Sequence, residues 1–435
     1  MSKTLSISTE KQPGSIIRVR MTALLLSALT TLTSLATADT STAIFDPLFR
    51  TLTVTLDGDM MLDPVLDLKG NHTLTISFDE ITDDPSFLLG RLLQCNSDWQ
   101  PSQLHENENV TGFNYIDIED YAFSNNTFIH YVNYKVTIPN EEMEPLASGN
   151  YLLQVFERDE PDEVLLQARF RVSENSVTIS GNASARTDKG LNDIWQQLNL
   201  SVDPGNMMIQ NPYTDIIVEV EQNHRPDTRR VIEHPMRVQG SQIIYEHEPR
   251  LIFPASNEYR RFETVRTNYP GMHIDSTSYE GNMYHAWLNT DTSRADRNYL
   301  YDRTQRGRYK IDEYNSTDPD LGADYVMTHF TFDFPEVYEG DVYVDGDLFL
   351  NSYSDLNRMK YDREQGVYTL DVPLKQGSYN YQYVLRPHNG DRQTDTSLTE
   401  GNKFETVNEY NIAVWLRQPG MRAERLLGTA TFITN

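Results

Sequence analysis

The nine residues VLLQARFRV, 164–172, set Val164, Leu166, Ala168, Phe170 and Val172 at every second position, with Gln167, Arg169 and Arg171 between them. That period belongs to a strand; a helix would scatter the five apolar side chains around its circumference. The same alternation recurs at Leu52, Val54 and Leu56, at Leu74, Ile76 and Phe78, and at Val132, Tyr134, Val136 and Ile138. Each set is one face of a strand that needs burial, and two antiparallel sheets packed face to face bury all of them. The abundance of tyrosine, 25 in 435 residues, and the 20 prolines punctuating the loops fit the same reading.

Working outward, Asn175 and Ser176 break the pattern and a new series begins near Val177. It contains Ile216, Val218 and Val220 opposite Ile217, Glu219 and Glu221, then residues 243–245 and 284–288. A last series has Val342 and Val344 before Gly346, then Tyr368, Leu370, Val372 and Leu374, and after the turn at Gly377 Tyr379, Tyr381, Tyr383 and Leu385. The predicted fold class is all-β, with tandem immunoglobulin-like β-sandwich domains. The predicted division is a signal peptide over 1–38, an N-terminal sandwich over 39–172, a middle β domain with a connecting hairpin segment over 173–322, and a C-terminal domain over 323–435. That last stretch resembles early-set immunoglobulin-like modules that bind starch or glycogen. Those modules stack tryptophans on sugar rings, whereas LFLNSYSDL, 348–356, has none and offers only Phe349 and Tyr353.

Lys3, Lys11, Arg18 and Arg20 precede an apolar run from Met21 to Leu35, and Ala36-Thr37-Ala38 is a small-x-small cleavage pattern. A retained anchor is the alternative, disfavoured by Ser27, Thr30, Thr31, Thr33 and Ser34 within a short run. Cleavage after Ala38 leaves 397 residues outside the cytoplasm, which in a Gram-negative cell means the periplasm. One cysteine, Cys95, makes no internal disulfide, so it is either a buried small apolar residue or a reactive thiol. No histidine in its local segment would activate it, which favours burial.

Formal charge is -27 for the whole chain, and removal of the leader takes away a net +3. Such a surface repels nucleic acid and anionic lipid, so a partner offers neutral or basic surface. Arg294, Arg297, Arg303, Arg306, Arg308 and Lys310 are a basic island that reads either as a partner patch or, more simply, as groups paired with acidic loops. Enzyme signatures are missing: no glycine-rich phosphate loop, no nucleophile elbow, no paired histidines in a zinc motif, His105-Glu106 included. Asp341, Asp345 and Asp347 lack the further ligands and closing glutamate of a hand-type calcium loop. No catalytic, cofactor-binding or metal residue is assigned on this reading.

One stretch is too particular for a generic loop: LLQCNSDWQPS, 92–102, a strand-like run ending at Cys95 and followed by Asn96, Asp98 and Trp99. With Gly112 and Phe113, and then Tyr121 and Phe123, it resembles the plug protein of the Bacteroidota type IX secretion system. SGNYLLQVFERD from Ser148, LKQGSYNYQYVL from Leu374 and EGNKFETVNEYNIAVWLR from Glu400 extend the resemblance over nearly the whole mature chain. The resemblance implies a non-enzymatic periplasmic protein that closes the mouth of a giant outer-membrane translocon barrel when no cargo is engaged, as a monomer within that complex and without inserting into the membrane. The alternative is a periplasmic glycan-binding protein built on the C-terminal module.

Overall fold

In a computed structural model of the chain, residues 40–112, 114–389 and 393–434 are described. The leader expected at 1–38, and Phe113, lie outside the described residues. The alternating runs form strands, and the strands form β-sandwiches, as their periodicity requires. In the first sandwich one sheet runs in the order Ala43–Ile44, Val164–Ser173, Gly149–Glu157, Leu88–Cys95, Ile116–Asp117, with Val65–Asp67 added parallel to Val164–Ser173. The facing sheet is Phe49–Leu56, Leu74–Glu80, Val132–Ile138, Tyr121–Phe123. Between them lies one core holding Leu74, Ile76, Phe78, Tyr134, Val136, Leu166, Ala168, Phe170 and Val172. Phe78 stacks on Tyr134 and Tyr151 on Phe170, each pair at 5.4 Å between ring centres, a geometry that adds about 0.5–1.5 kcal/mol per pair beyond area burial.

The second sandwich departs from the linear division. One sheet contains Thr178–Ser184, Trp195–Asp203, Gln242–Tyr245 and Arg237–Gln239, with Ile252–Pro254 beside Trp195–Asp203. Its partner sheet is Arg230–Ile232, Ile216–Gln222, Glu409–Leu416, Arg425–Ile433, so two of its four strands come from the last 27 residues of the chain. Val218 sits opposite Val414 and Val220 opposite Ile412. Between Ile252–Pro254 and Glu409–Leu416 the chain builds a third sandwich as an insert. Its sheets are Arg260–Glu263, Gly377–Pro387, Tyr309–Ile311 with Gly340–Asp345, and Ile274–Glu280, Met283–Leu288, Tyr325–Asp333, Val367–Lys375, Lys360–Asp362 with Asp291–Thr292. The strands expected to share a domain over 323–435 are thus split between two cores. The physical reason is that alternation states which face of a strand is buried; it carries nothing about which distant strand completes the sheet.

Ile216–Gln222 shows a second departure. Alternation puts Glu219 on the side away from Ile216, Val218 and Val220, yet Glu219 is only 1% exposed. The outer face of this sheet is itself covered, with Ile217, Ala413, Trp415 and Leu426 forming a small core of their own. Residues 41–435 pack as one unit, and no helix among the described residues is long and apolar enough to cross a membrane.

Candidate functional site

The strand Leu88–Cys95 ends in the turn that the sequence singled out. Asn96 N–H donates to the Gln100 carbonyl and Trp99 N–H to the Asn96 carbonyl, both at 2.9 Å. Trp99 is left at φ +63°, a region a bulky L-residue enters at a cost of about 1–2 kcal/mol. Its ring is 6% exposed and lies under the Arg169 guanidinium, 4.0 Å from the ring centre. The turn then grips the second sandwich. Ser97 N–H donates to Glu424 Oε2 at 2.8 Å, Glu424 N–H donates to Asn96 Oδ1 at 3.0 Å, and Arg229 Nη2 donates to the Ser97 carbonyl at 2.9 Å. Asn150, from the SGNYLLQ segment, donates to the Asn96 carbonyl at 2.8 Å. Gly149 precedes it at φ +146°, where a Cβ would fall 2.4 Å from Gln94 Nε2. Arg171 and Arg229 converge on Glu219, and against the penalty of burial they hold its carboxyl below the ordinary range. Cys95 is fully buried beside Trp99 and Leu152, and burial pushes its thiol up to about 12. The native chain is therefore expected to leave an aromatic disulfide reagent unreacted at pH 8 over hours, and to release one thiol equivalent in denaturant. Rapid native reaction would show that this seam opens.

A second seam joins the first and third sandwiches. Asp79 on Leu74–Glu80 receives Lys375 Nζ at 2.6 Å and the Tyr325 hydroxyl at 2.7 Å on one oxygen, and Asn133 Nδ2 at 2.8 Å on the other. Lys375 and Asp79 are 2% and 1% exposed, so this pair works outside water's screening. Lys375 also donates to the Asp320 carbonyl at 2.7 Å and lies 4.0 Å over the Tyr131 ring. Lys375 belongs to the LKQGSYNYQYVL segment.

At the junction of all three sandwiches, Asp63, His224 and Glu409 are spaced as metal ligands are. The Arg308 guanidinium already occupies the centre, donating to Glu409 Oε1 at 2.8 Å and lying against His224 and Asp63. Arg306 adds a bond to Glu409 at 2.6 Å. Despite burial, bonds from His224 and Arg308 hold the Glu409 carboxyl well below the carboxylate range. A cation is built into the chain here, and no ion is needed. Of the basic island, Arg294 pairs with Glu400 at 2.6 Å, Arg306 and Arg308 with Glu409, and Lys310 with Asp312 at 3.2 Å. Most of these groups are consumed internally.

A cleft of about 1340 Å³ opens between the first sandwich and the 301–320 segment. Its floor is the outward face of three strands, with Thr53 beside Ser77 and Thr55 beside Thr75, then Lys135 and Thr137 beyond them. Met60, Tyr301, Arg303 and Asp318 stand around it. Its lining contains neither histidine nor cysteine, and Lys135 and Arg261 are paired with Asp320 and Asp302, each at 2.8 Å.

The remaining residues raised by sequence fall apart. Phe349 is packed in the third core, and Tyr353 is half-buried, its hydroxyl donating to Asp345 Oδ1 at 2.9 Å and its ring edge-on to Tyr343 at 5.5 Å. Asp345 is 0% exposed and bonded by Gln382 at 2.8 Å, while Asp341 pairs with His388 at 3.2 Å and Asp347 bonds Asn351 at 2.5 Å. The three carboxylates do not converge. Tyr121 and Phe123 lie on an edge strand, 43% and 52% exposed, their rings 6.2 Å apart.

Residues 49–174 match the family model described as the type 9 secretion system plug protein first domain. The chain belongs to the type 9 secretion system plug family. A crystal structure of a hypothetical protein from Parabacteroides merdae ATCC 43184 shares 37% identity at a TM-score of 0.89, covering 90% of this chain and 99% of that one. The three-sandwich arrangement is therefore that of a solved relative over its whole length. The B domain of a biofilm-associated protein and dimeric latent PorU from Porphyromonas gingivalis are 9% identical, covering 91% and 89% of this chain and 87% and 34% of theirs. Their TM-scores of 0.19 and 0.15 carry no argument. No curated protein matches. Within the matched stretch Asn96 and Asn150 bind the turn that joins the first sandwich to the second, and the later segments that resemble the family supply Lys375 and Glu409 to the other joints.

Proposed function

We propose that this chain is a non-enzymatic stopper that sits in the periplasm against the inner mouth of the type IX translocon barrel and blocks it while no cargo is engaged. The observation that carries the reading is the family match together with where these joints lie: they weld three sandwiches into one unit. A stopper has to resist deformation across a wide mouth. A barrel of about 36 strands has a wall roughly 70 Å across. A compact chain of this length has a radius of gyration near 21 Å, or about 55 Å across if spherical. One sandwich is too small to obstruct such a mouth, and three fixed together cover much of it. Because the closure must come off, its interface with the barrel is of moderate area and polar-rimmed, consistent with a surface of high negative charge. Burial of Phe349 and the bond from the Tyr353 hydroxyl to Asp345 favour the stopper over the glycan-binding alternative.

The test is co-purification from envelope membranes. The barrel is expected to come down with this chain when secretion is idle, and outer-membrane leakiness is expected to rise when the chain is deleted. A pulldown that never recovers the barrel, together with unchanged leakiness, removes the proposal.

A further inference from the structure

The outward face of the wide sheet in the third sandwich carries a group of side chains that the plugging role does not use. In Met283–Leu288 the core-facing residues are Ala286 and Leu288, so His285 and Trp287 point away from the core. The parallel neighbour Tyr325–Asp333 sets Met327 beside His285 and His329 beside Trp287, and the next strand sets Asp371 beside His329. His285 Nδ1 and His329 Nε2 face one another at 2.9 Å, with the two imidazole planes only 14° apart and their centres 5.2 Å apart. The two facing ring nitrogens thus point at one another, one donating and the other accepting. His329 is held in that pose from behind, where Nδ1 meets Asp371 Oδ1 at 2.6 Å. Trp287 stacks on His329, 4.6 Å between centres and 8° from parallel.

This is the arrangement of a metal-ligating histidine oriented by a carboxylate on its far nitrogen. With Asp371 accepting the Nδ1 proton, His329 Nε2 presents a lone pair. His285 satisfies it as a donor, and a shift of its own proton to Nε2 turns it into a second ligand without changing charge. We propose that His285 and His329 form a copper(I) site, with Met327 supplying a thioether beside them and Trp287 shielding it from water. Imidazoles suit copper, and a thioether selects its cuprous state over zinc. Two nitrogens at about 2.0–2.1 Å from one ion in a near-trigonal arrangement stand about 3.5 Å apart, so the pair opens by about 0.6 Å. The outer-face side chains absorb that without moving the core.

The experiment uses the full chain, purified without a histidine tag, and copper(I) under anaerobic conditions with a bathocuproine chelator as competitor. Wild type is expected to withhold one equivalent of copper(I) and to show quenching of part of its tryptophan emission. His285→Gln and His329→Gln should each lose tenfold or more in affinity together with the quenching. Asp371→Asn should lose about tenfold, since it only positions a ligand. Met327→Leu should lose preference for copper(I) over zinc. Unchanged thermal melting of these outer-face variants separates ligand loss from unfolding, and Cys95→Ala should bind as wild type. The proposal fails if wild type withholds no copper, or if either histidine variant binds as wild type; equal zinc affinity untouched by Met327→Leu overturns the assignment to copper.

Discussion

Replacing Asp79 by alanine is expected to lower the stability of the chain by about 3–5 kcal/mol, because it leaves the Lys375 ammonium buried and without its counter-ion. The ammonium would retain the Asp320 carbonyl and the Tyr131 ring, and the Tyr325 hydroxyl would lose its acceptor. Neither remaining contact replaces a carboxylate at 2.6 Å in a site shut off from water. Lys375→Met should cost less, since an orphaned carboxylate keeps two neutral donors, Tyr325 and Asn133. The double variant should recover most of the loss, because no unpaired charge is then buried. Urea unfolding of the four proteins measures this coupling directly. A midpoint for Asp79→Ala equal to wild type would show that the seam between the first and third sandwiches is wet and contributes little.

Ending the chain after Lys403 is expected to have the larger structural effect. It removes Glu409–Leu416 and Arg425–Ile433 from a four-stranded sheet, leaving Ile216, Val218 and Val220 with nothing to pair against on that side. Tyr410, Ile412, Val414 and Leu427 leave the second core, Trp415 leaves the small core on the sheet's outer face, and Glu424 leaves the seam with the first sandwich. Hydrogen exchange should then show strands 195–203 and 216–222 losing all slow protection while strands 74–80 and 132–138 keep theirs, since their core is built wholly from residues 44–172 and Leu350. If residues 323–435 were a self-contained domain, protection would be lost first at 340–345 and 377–387 instead. That outcome would contradict the pairing of Ile216–Gln222 with Glu409–Leu416.

In the first sandwich the strands at 49–56, 74–80, 132–138 and 164–173 were legible from their alternation, and the run ending at Cys95 from its apolar residues; Gly149–Glu157, buried at nearly every position, was not. The burial of Cys95 was legible too, from its apolar neighbours and the lack of a local base. Glu219 was not: read alone it belongs on a wet face, and only Arg171, 48 positions earlier, and Arg229 explain its burial. The basic island was readable as internally paired, though its partners Glu400 and Glu409 lie about a hundred residues further on. His285 and His329 escaped notice because 44 positions separate them and no motif spacing joins them. Only a parallel register of neighbouring strands brings their nitrogens together. Phe349 and Tyr353 illustrate the reverse, where a plausible binding pair in the sequence is drawn inward by packing and by Asp345.

Period-two patterning by itself determined that this protein is made of sheets, and composition determined that it carries strong negative charge. Tertiary structure decided that the third sandwich interrupts the second, and that Asn96, Asn150, Lys375 and Glu409 serve as joints. The reason is physical: burial of a strand face is a local demand written into alternate residues, whereas the choice of sheet partner and the pairing of buried charges are settled by the free energy of the whole assembly, over separations that no local pattern records.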